Sequence, residues 1–75
     1  MVLPLDQVCM GVWGSVVKVD TCDQLQQRLR EFGLVPGTRV RRRYASPAGD
    51  VVAIELRGSV IALRKRDLRR IRVCV

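Results

Sequence analysis

The chain contains no histidine, and its only aromatic residues are Trp13, Phe32 and Tyr44. It therefore lacks the side chain that most often works as general acid or base near neutral pH. Acidic residues are few, seven in all, and no nucleophile stands beside an evident base. Pro36-Gly37-Thr38 has neither the glycines nor the lysine of a phosphate-binding loop. These gaps argue against an enzyme. Cys9, Cys22 and Cys74 are odd in number and far apart, with no C-x-x-C pair. They are weak metal-ligand candidates, because a four-ligand zinc site in one chain would need unusual carboxylate help. The alternative is that they serve as small, buried or half-buried apolar residues in a reducing compartment. No cofactor is expected, and weak transition-metal binding stays open. No apolar run approaches the roughly 20 residues that cross a bilayer. The opening Met1-Val2-Leu3-Pro4-Leu5-Asp6 has no basic region and is broken by Pro4 and Asp6, unlike a signal peptide. The expectation is a cytoplasmic protein with no membrane insertion.

What is present is apolar and basic. The 75 residues are 48% hydrophobic, which favours one folded domain, residues 1–75, over a disordered tail. A chain this small buries only about 60% of its extended surface. With so few aromatics, its core must be built from Val, Leu and Ile. The net charge is +7, from 14 basic and 7 acidic residues. Such a surface suits nucleic acid, anionic head groups or an acidic protein face, or it is simply solvated.

Punctuation along the chain points to short strands around one helix. Residues 3–10 are weakly patterned, with a short helical turn after Asp6. Gly11 and Gly14 bracket Val12-Trp13 as a loop into a strand over Ser15–Val19. Trp13 reads as a lid on the core or as part of a partner surface. Thr21-Cys22-Asp23-Gln24 has the form of a capping box, opening a helix from about Cys22 to Phe32. Leu25, Leu29 and Phe32 share one face of that helix and should be buried. Gly33 suits a left-handed helix stop, with Leu34 packing back on the last turn. Pro36-Gly37 then fits a type II turn. In Thr38–Ala45, Val40, Arg42 and Tyr44 fall on one side and Arg39, Arg41 and Arg43 on the other. Arg42 interrupts the inner set, which predicts a bulge, a barrel mouth or a snorkelling stem. Ser46–Asp50 is a turn by composition. Val52, Ile54 and Leu56 alternate inward, Gly58-Ser59 reads as a hairpin turn, and Ile61 and Leu63 point inward from the next strand. Residues 64–70 form one helical turn burying Leu68. Ile71, Val73 and Val75 share a face of a closing strand. The sum is a mainly β fold with one inserted helix, a partly open barrel of about five strands.

Three blocks, in order, carry a family resemblance. Arg28-Leu29-Arg30-Glu31-Phe32-Gly33-Leu34-Val35-Pro36-Gly37-Thr38 resembles the R-L-x-x-L-G-L-x-P-G-T signature of the FeoA family. Ser46-Pro47-Ala48-Gly49-Asp50 is similar to its A-P-L-G-D-P turn. Ile61-Ala62-Leu63-Arg64 through Leu68, with Ile71-Arg72-Val73, is similar to its I-A-L-R-x-x-x-A-x-x-I-x-V close. Together they cover nearly the whole chain. Phe32 replaces a Leu, Val51 a Pro, Leu68 an Ala, and Arg42 an apolar residue.

The resemblance implies an SH3-like barrel and a small cytosolic accessory protein of bacterial ferrous iron uptake, acting as an interaction module rather than an enzyme. It implies a partner in the cytoplasmic G-protein domain of the FeoB transporter, with attachment to the membrane only through that partner. The same domain occurs at the C-terminus of DtxR-like metal-dependent repressors. No helix-turn-helix pattern is visible, so a stand-alone copy is expected. The candidate partner surface is Arg30, Leu34 and Pro36 with Ala48, Gly49 and Asp50, although Leu34 and Pro36 equally suit a role in finishing the fold. A second class of function is nucleic-acid binding by Arg39, Arg41 and Arg43 with Arg64, Lys65, Arg66, Arg69 and Arg70. Only Tyr44 lies near that ladder to stack on bases, which argues against it. A third is metal sensing through the cysteines with Asp50 or Asp67. Self-association is left open.

Overall fold

The computed structural model describes residues 1–75. Six strands and two helices follow in order: β1 (Val2–Pro4), a 3-10 turn (Leu5–Gln7), β2 (Gly14–Val19), α1 (Asp23–Glu31), β3 (Arg39–Ala45), β4 (Val51–Leu56), β5 (Ser59–Arg64), α2 (Lys65–Leu68) and β6 (Ile71–Cys74). The strands form one antiparallel sheet in the order β1-β6-β2-β3-β4-β5. The sheet curls but does not close, so β1 and β5 are free edges. This is the expected SH3-like, partly open barrel with one more strand than expected. The added strand is β1, which pairs Leu3 with Val73. Three residues are too few to display an alternation, and Pro4 is tolerated because the strand is an edge.

Hydrophobic periodicity builds the interior. Val52, Ile54 and Leu56 of β4 are all buried, as are Leu63 of β5 and Ile71 and Val73 of β6. They join a cluster of 14 buried residues, all Val, Leu or Ile. Ile61 packs against this cluster from the edge, whereas Val75, beyond β6, is exposed. Each such side chain, fully buried, is worth about 1.5–3 kcal/mol. The single turn of α2 sits where expected and buries Leu68 completely.

Helix α1 starts and stops by different chemistry than its sequence shows at the N-terminal end. Cys22, not Thr21, is the N-cap, and no side chain caps the helix. The expected capping box is therefore not formed, and Thr21 Oγ1 is buried without a partner. Gln26 Nε2 instead donates to the Val19 carbonyl at 2.8 Å and ties the helix to the end of β2. At the other end the sequence pattern holds. Gly33 has φ +91°, Gly33 N–H donates to Arg30 O (3.0 Å), and Leu34 N–H donates to Leu29 O (2.8 Å). These are the two bonds of a Schellman stop.

That stop explains a correction. Phe32 is 51% exposed, not buried with Leu25 and Leu29. It lies one residue past the helix, and Leu34 folds back against Leu29 into the space that a further helical turn would have filled. Leu29 and Leu34 are each 1% exposed, and Leu25 is partly buried.

The β4–β5 hairpin also turns one residue earlier than expected. Its central pair is Arg57-Gly58, with φ of +50° and +79°, and Leu56 faces Ser59 across it. Positive φ at both positions defines a type I′ turn.

Candidate functional site

The helix stop leads straight into the Pro36-Gly37 turn. Thr38 N–H donates to Val35 O at 3.0 Å, and Gly37 has φ +94°, as a type II turn requires. Thr38 locks both turns together. Its Oγ1 donates to Gly33 O at 2.6 Å and accepts from Val35 N–H at 3.4 Å. Arg30 and Pro36 are exposed on this corner and line one groove of about 300 Å³ with Val17 and Lys18. Leu34 forms the floor of that groove and is buried, so it supports the corner and does not present its side chain. Ala48, Gly49 and Asp50 do not join it. They occupy the β3–β4 turn, where Ser46 Oγ donates to Asp50 Oδ1 (2.9 Å) and Lys65 N–H donates to Asp50 O (2.9 Å). Asp50 borders a separate groove of about 380 Å³ with Val51, Arg64, Lys65 and Arg66. The two halves of the expected partner surface are thus two separate corners.

The residues of the expected basic patch lie in three places, with acidic side chains near each. On the outer face of β3, Arg41 Nε donates to Glu55 Oε1 at 2.7 Å and Arg43 Nη1 to the same oxygen at 3.3 Å. The hydrogen bond from Arg41, followed by the charges of Arg41 and Arg43, holds the Glu55 carboxyl below its ordinary 4.5 despite partial desolvation. Trp13 lies over this same face. The guanidinium carbons of Arg41 and Arg39 sit 4.7 and 5.5 Å from its ring centre, which is cation–π geometry. Trp13 is consequently no lid on the core; it spends its ring on the arginine ladder outside. A second group is Arg64, Lys65 and Arg66 beside Asp50. In the third, Arg66 and Arg70 border a groove of about 530 Å³ with Asp20 and Asp67 at the start of α1. Arg69 pairs with Asp6 at 3.4 Å. Acidic side chains thus lie among the arginines expected to form a nucleic-acid surface.

Arg42 resolves the break in the inner face of β3. The β3–β4 register shifts between Arg42 and Tyr44, a bulge that sends Tyr44 outward, 62% exposed. Arg42 Nη1 donates to Val8 O at 2.8 Å and to Asp6 O at 3.2 Å, and Gly11 N–H donates to Arg42 O at 2.8 Å. The long basic stem pins the weakly patterned residues 5–11 to the sheet. A bulge was one of three outcomes that the sequence left open at Arg42; the carbonyl clamp was not legible, because its partners lie more than thirty positions away.

The cysteines are exposed, not buried or half-buried as expected, and all carry free thiols. They lie apart, and no group of three or more His, Cys, Asp or Glu side chains converges. No helix is long and apolar enough to cross a membrane.

One feature of the site had no signal in any single stretch of sequence. Two grooves flank the free edge β5. One, of about 450 Å³, runs between β5 and α1 over Leu25, Leu29 and Phe32. The other, about 460 Å³, lies on the outer face beside Tyr44, Pro47 and Val51.

An unclosed six-strand antiparallel sheet with one covering helix and exposed grooves makes a small SH3-like domain. The chain belongs to the FeoA family: the FeoA domain model matches residues 3–75. The solved structure of an iron uptake regulatory protein, FeoA, is 30% identical and superposes with a TM-score of 0.81 over 99% of this chain and 96% of that one. The FeoA protein of Chlorobium tepidum is 23% identical, with a TM-score of 0.93 over 97% of this chain and 70% of that one. The IdeR protein of T. acidophilum shares the fold, at 17% identity and a TM-score of 0.83, over 99% of this chain and 34% of that one. No curated protein sequence matches the chain.

Proposed function

We propose that this protein is a non-catalytic accessory module of ferrous iron uptake that docks on the cytoplasmic G-protein domain of a FeoB-type transporter. The observation that carries this reading is the FeoA match over residues 3–75. Its blocks include the helix stop, the two turns and the closing strand that position every exposed corner. The protein works in the cytoplasm and reaches the membrane only through its partner. Its surface suits docking: the net charge is +7, and large apolar side chains such as Trp13, Phe32 and Tyr44 are exposed. Arg30 and Pro36 at one corner, held from beneath by Leu34, and Ala48, Gly49 and Asp50 at the other, are its proposed contact turns.

The test is calorimetric titration of the folded protein into the folded G-protein domain at low salt. A saturable one-to-one isotherm that weakens as salt rises is the expected result. No heat and no co-elution at low salt would overturn the docking partner.

A further inference from the structure

We propose that the free edge of β5 is a strand-addition site for an extended, acidic-flanked segment of a protein partner. The backbone supplies the first observation. Across the two-residue turn, Leu56 and Ser59 form the hydrogen-bonded pair on which such hairpins close, and paired residues then alternate. Val60 and Ala62 therefore turn their N–H and C=O groups away from β4, and Arg64 its N–H, while the Arg64 carbonyl opens α2. No strand lies on that side, and none of these groups makes a turn or loop hydrogen bond. An open ladder of this kind accepts another strand.

The grooves supply the second. Both share Val60, Ile61 and Ala62, so the edge is the ridge between them. An added strand projects successive side chains to opposite faces. One set would enter the groove toward α1, against Leu25 and the half-exposed Phe32. The other would enter the outer groove, against Tyr44 and Val51. Apolar residues at alternate and intervening positions of the incoming segment thus both find apolar walls.

Charge selects the occupant. Arg57 lies over Gly33 at the C-terminal end of α1, its Cδ 2.9 Å from where a Cβ there would sit. Arg28 and Arg64 line the α1 groove, and Asp67 is the one carboxylate in that lining. Arg28, Arg57 and Arg64 make no ion pair. Two unpaired arginines on the wall of an apolar slot, with a third beside Gly33 next to Phe32, favour an acidic-flanked segment. A second copy of this chain carries the same +7 and is repelled.

This inference rests on the docking role proposed above, and its experiment separates the two. Amide hydrogen exchange of the full chain is followed with the FeoB-type G-protein domain. It is followed separately with a blocked nine-residue probe peptide of alternating Val and Thr flanked by Glu. The expected result is slower exchange at the outward amides of Val60, Ala62 and Arg64 by at least tenfold. Phe32→Ser, on the exposed groove wall, and Ala62→Pro, which deletes one outward donor, should each weaken binding at least tenfold while the far-ultraviolet spectrum is retained. Partner binding with those amides unprotected leaves the docking role standing and overturns the edge site. Edge protection by the peptide with no partner binding keeps the edge site and removes the transporter domain. Protection by neither overturns the edge site. Protection that grows with the protein's own concentration assigns the edge to a second copy and overturns the partner segment.

Discussion

Arg42 is a charged residue placed where the strand pattern asks for an apolar one, and the fold uses it as a clamp. Two charge-assisted bonds to the Asp6 and Val8 carbonyls leave from a single nitrogen. Bonds of this kind are worth more than neutral ones, and losing the donor strands both acceptors. Arg42→Met should keep the stem and lose the clamp, lowering stability by about 2 kcal/mol and the melting temperature by roughly 8–16 °C. Thermal unfolding followed by circular dichroism reads this, and an unchanged melting temperature would remove the clamp from the account. Glu55 sets a pH dependence at the same scale. Its folded carboxyl lies below the ordinary 4.5, so the unfolded chain takes the proton first as the medium is acidified. The pairing contributes fully above pH 4.5 and is lost as pH falls through the lower folded value. Urea titrations between pH 7 and 3 should show Glu55→Gln with a flatter acidic decline than the native chain. Equal slopes would mean that Arg41 and Arg43 do not hold this carboxylate in solution.

At the scale of elements, two turns set where everything else points. Gly33 takes a conformation that costs a side-chain-bearing residue roughly 1–2 kcal/mol. Gly33→Ala should therefore destabilise by about that amount, with Arg57 swinging aside to admit the methyl group. Denaturant midpoints check it, and Gly33→Asn should lose less. The β4–β5 turn is the opposite case. Arg57 sits at φ +50°, where Asn-Gly is the favoured pair. Arg57→Asn should stabilise the hairpin by roughly 1 kcal/mol, read as a higher denaturant midpoint. Elements with strong alternation were legible in the sequence: β4 and β5 bury the side expected of them, and Gly33 and Pro36-Gly37 do what their chemistry demands. Other elements were not. Strand β1 exists only because β6 offers it an edge, which three residues cannot announce. Thr21 imitates a cap, yet the helix begins one residue too late for it to serve. Phe32 keeps the helical spacing of Leu25 and Leu29, but the chain has already left the helix there. Local spacing cannot show that Leu34 fills the vacancy.

At the scale of the whole molecule, a core without aromatics leaves the large apolar side chains free for the surface. Trp13 lies on the arginine ladder, while Phe32 and Tyr44 stand on either side of the open edge. The arginine count was legible from the sequence; its division among separate places was not, because that depends on where the fold brings Asp20, Asp50, Glu55 and Asp67. The fold is a small aliphatic scaffold with exposed grooves, and the role proposed for it is to act through a partner. Ferrous iron uptake, measured with radioactive iron in cells carrying the FeoB-type transporter with and without this chain, tests that most directly. Uptake should fall when the chain is removed, return with the native protein, and not return with folded Phe32→Ser. Uptake that is the same with and without the chain would contradict it.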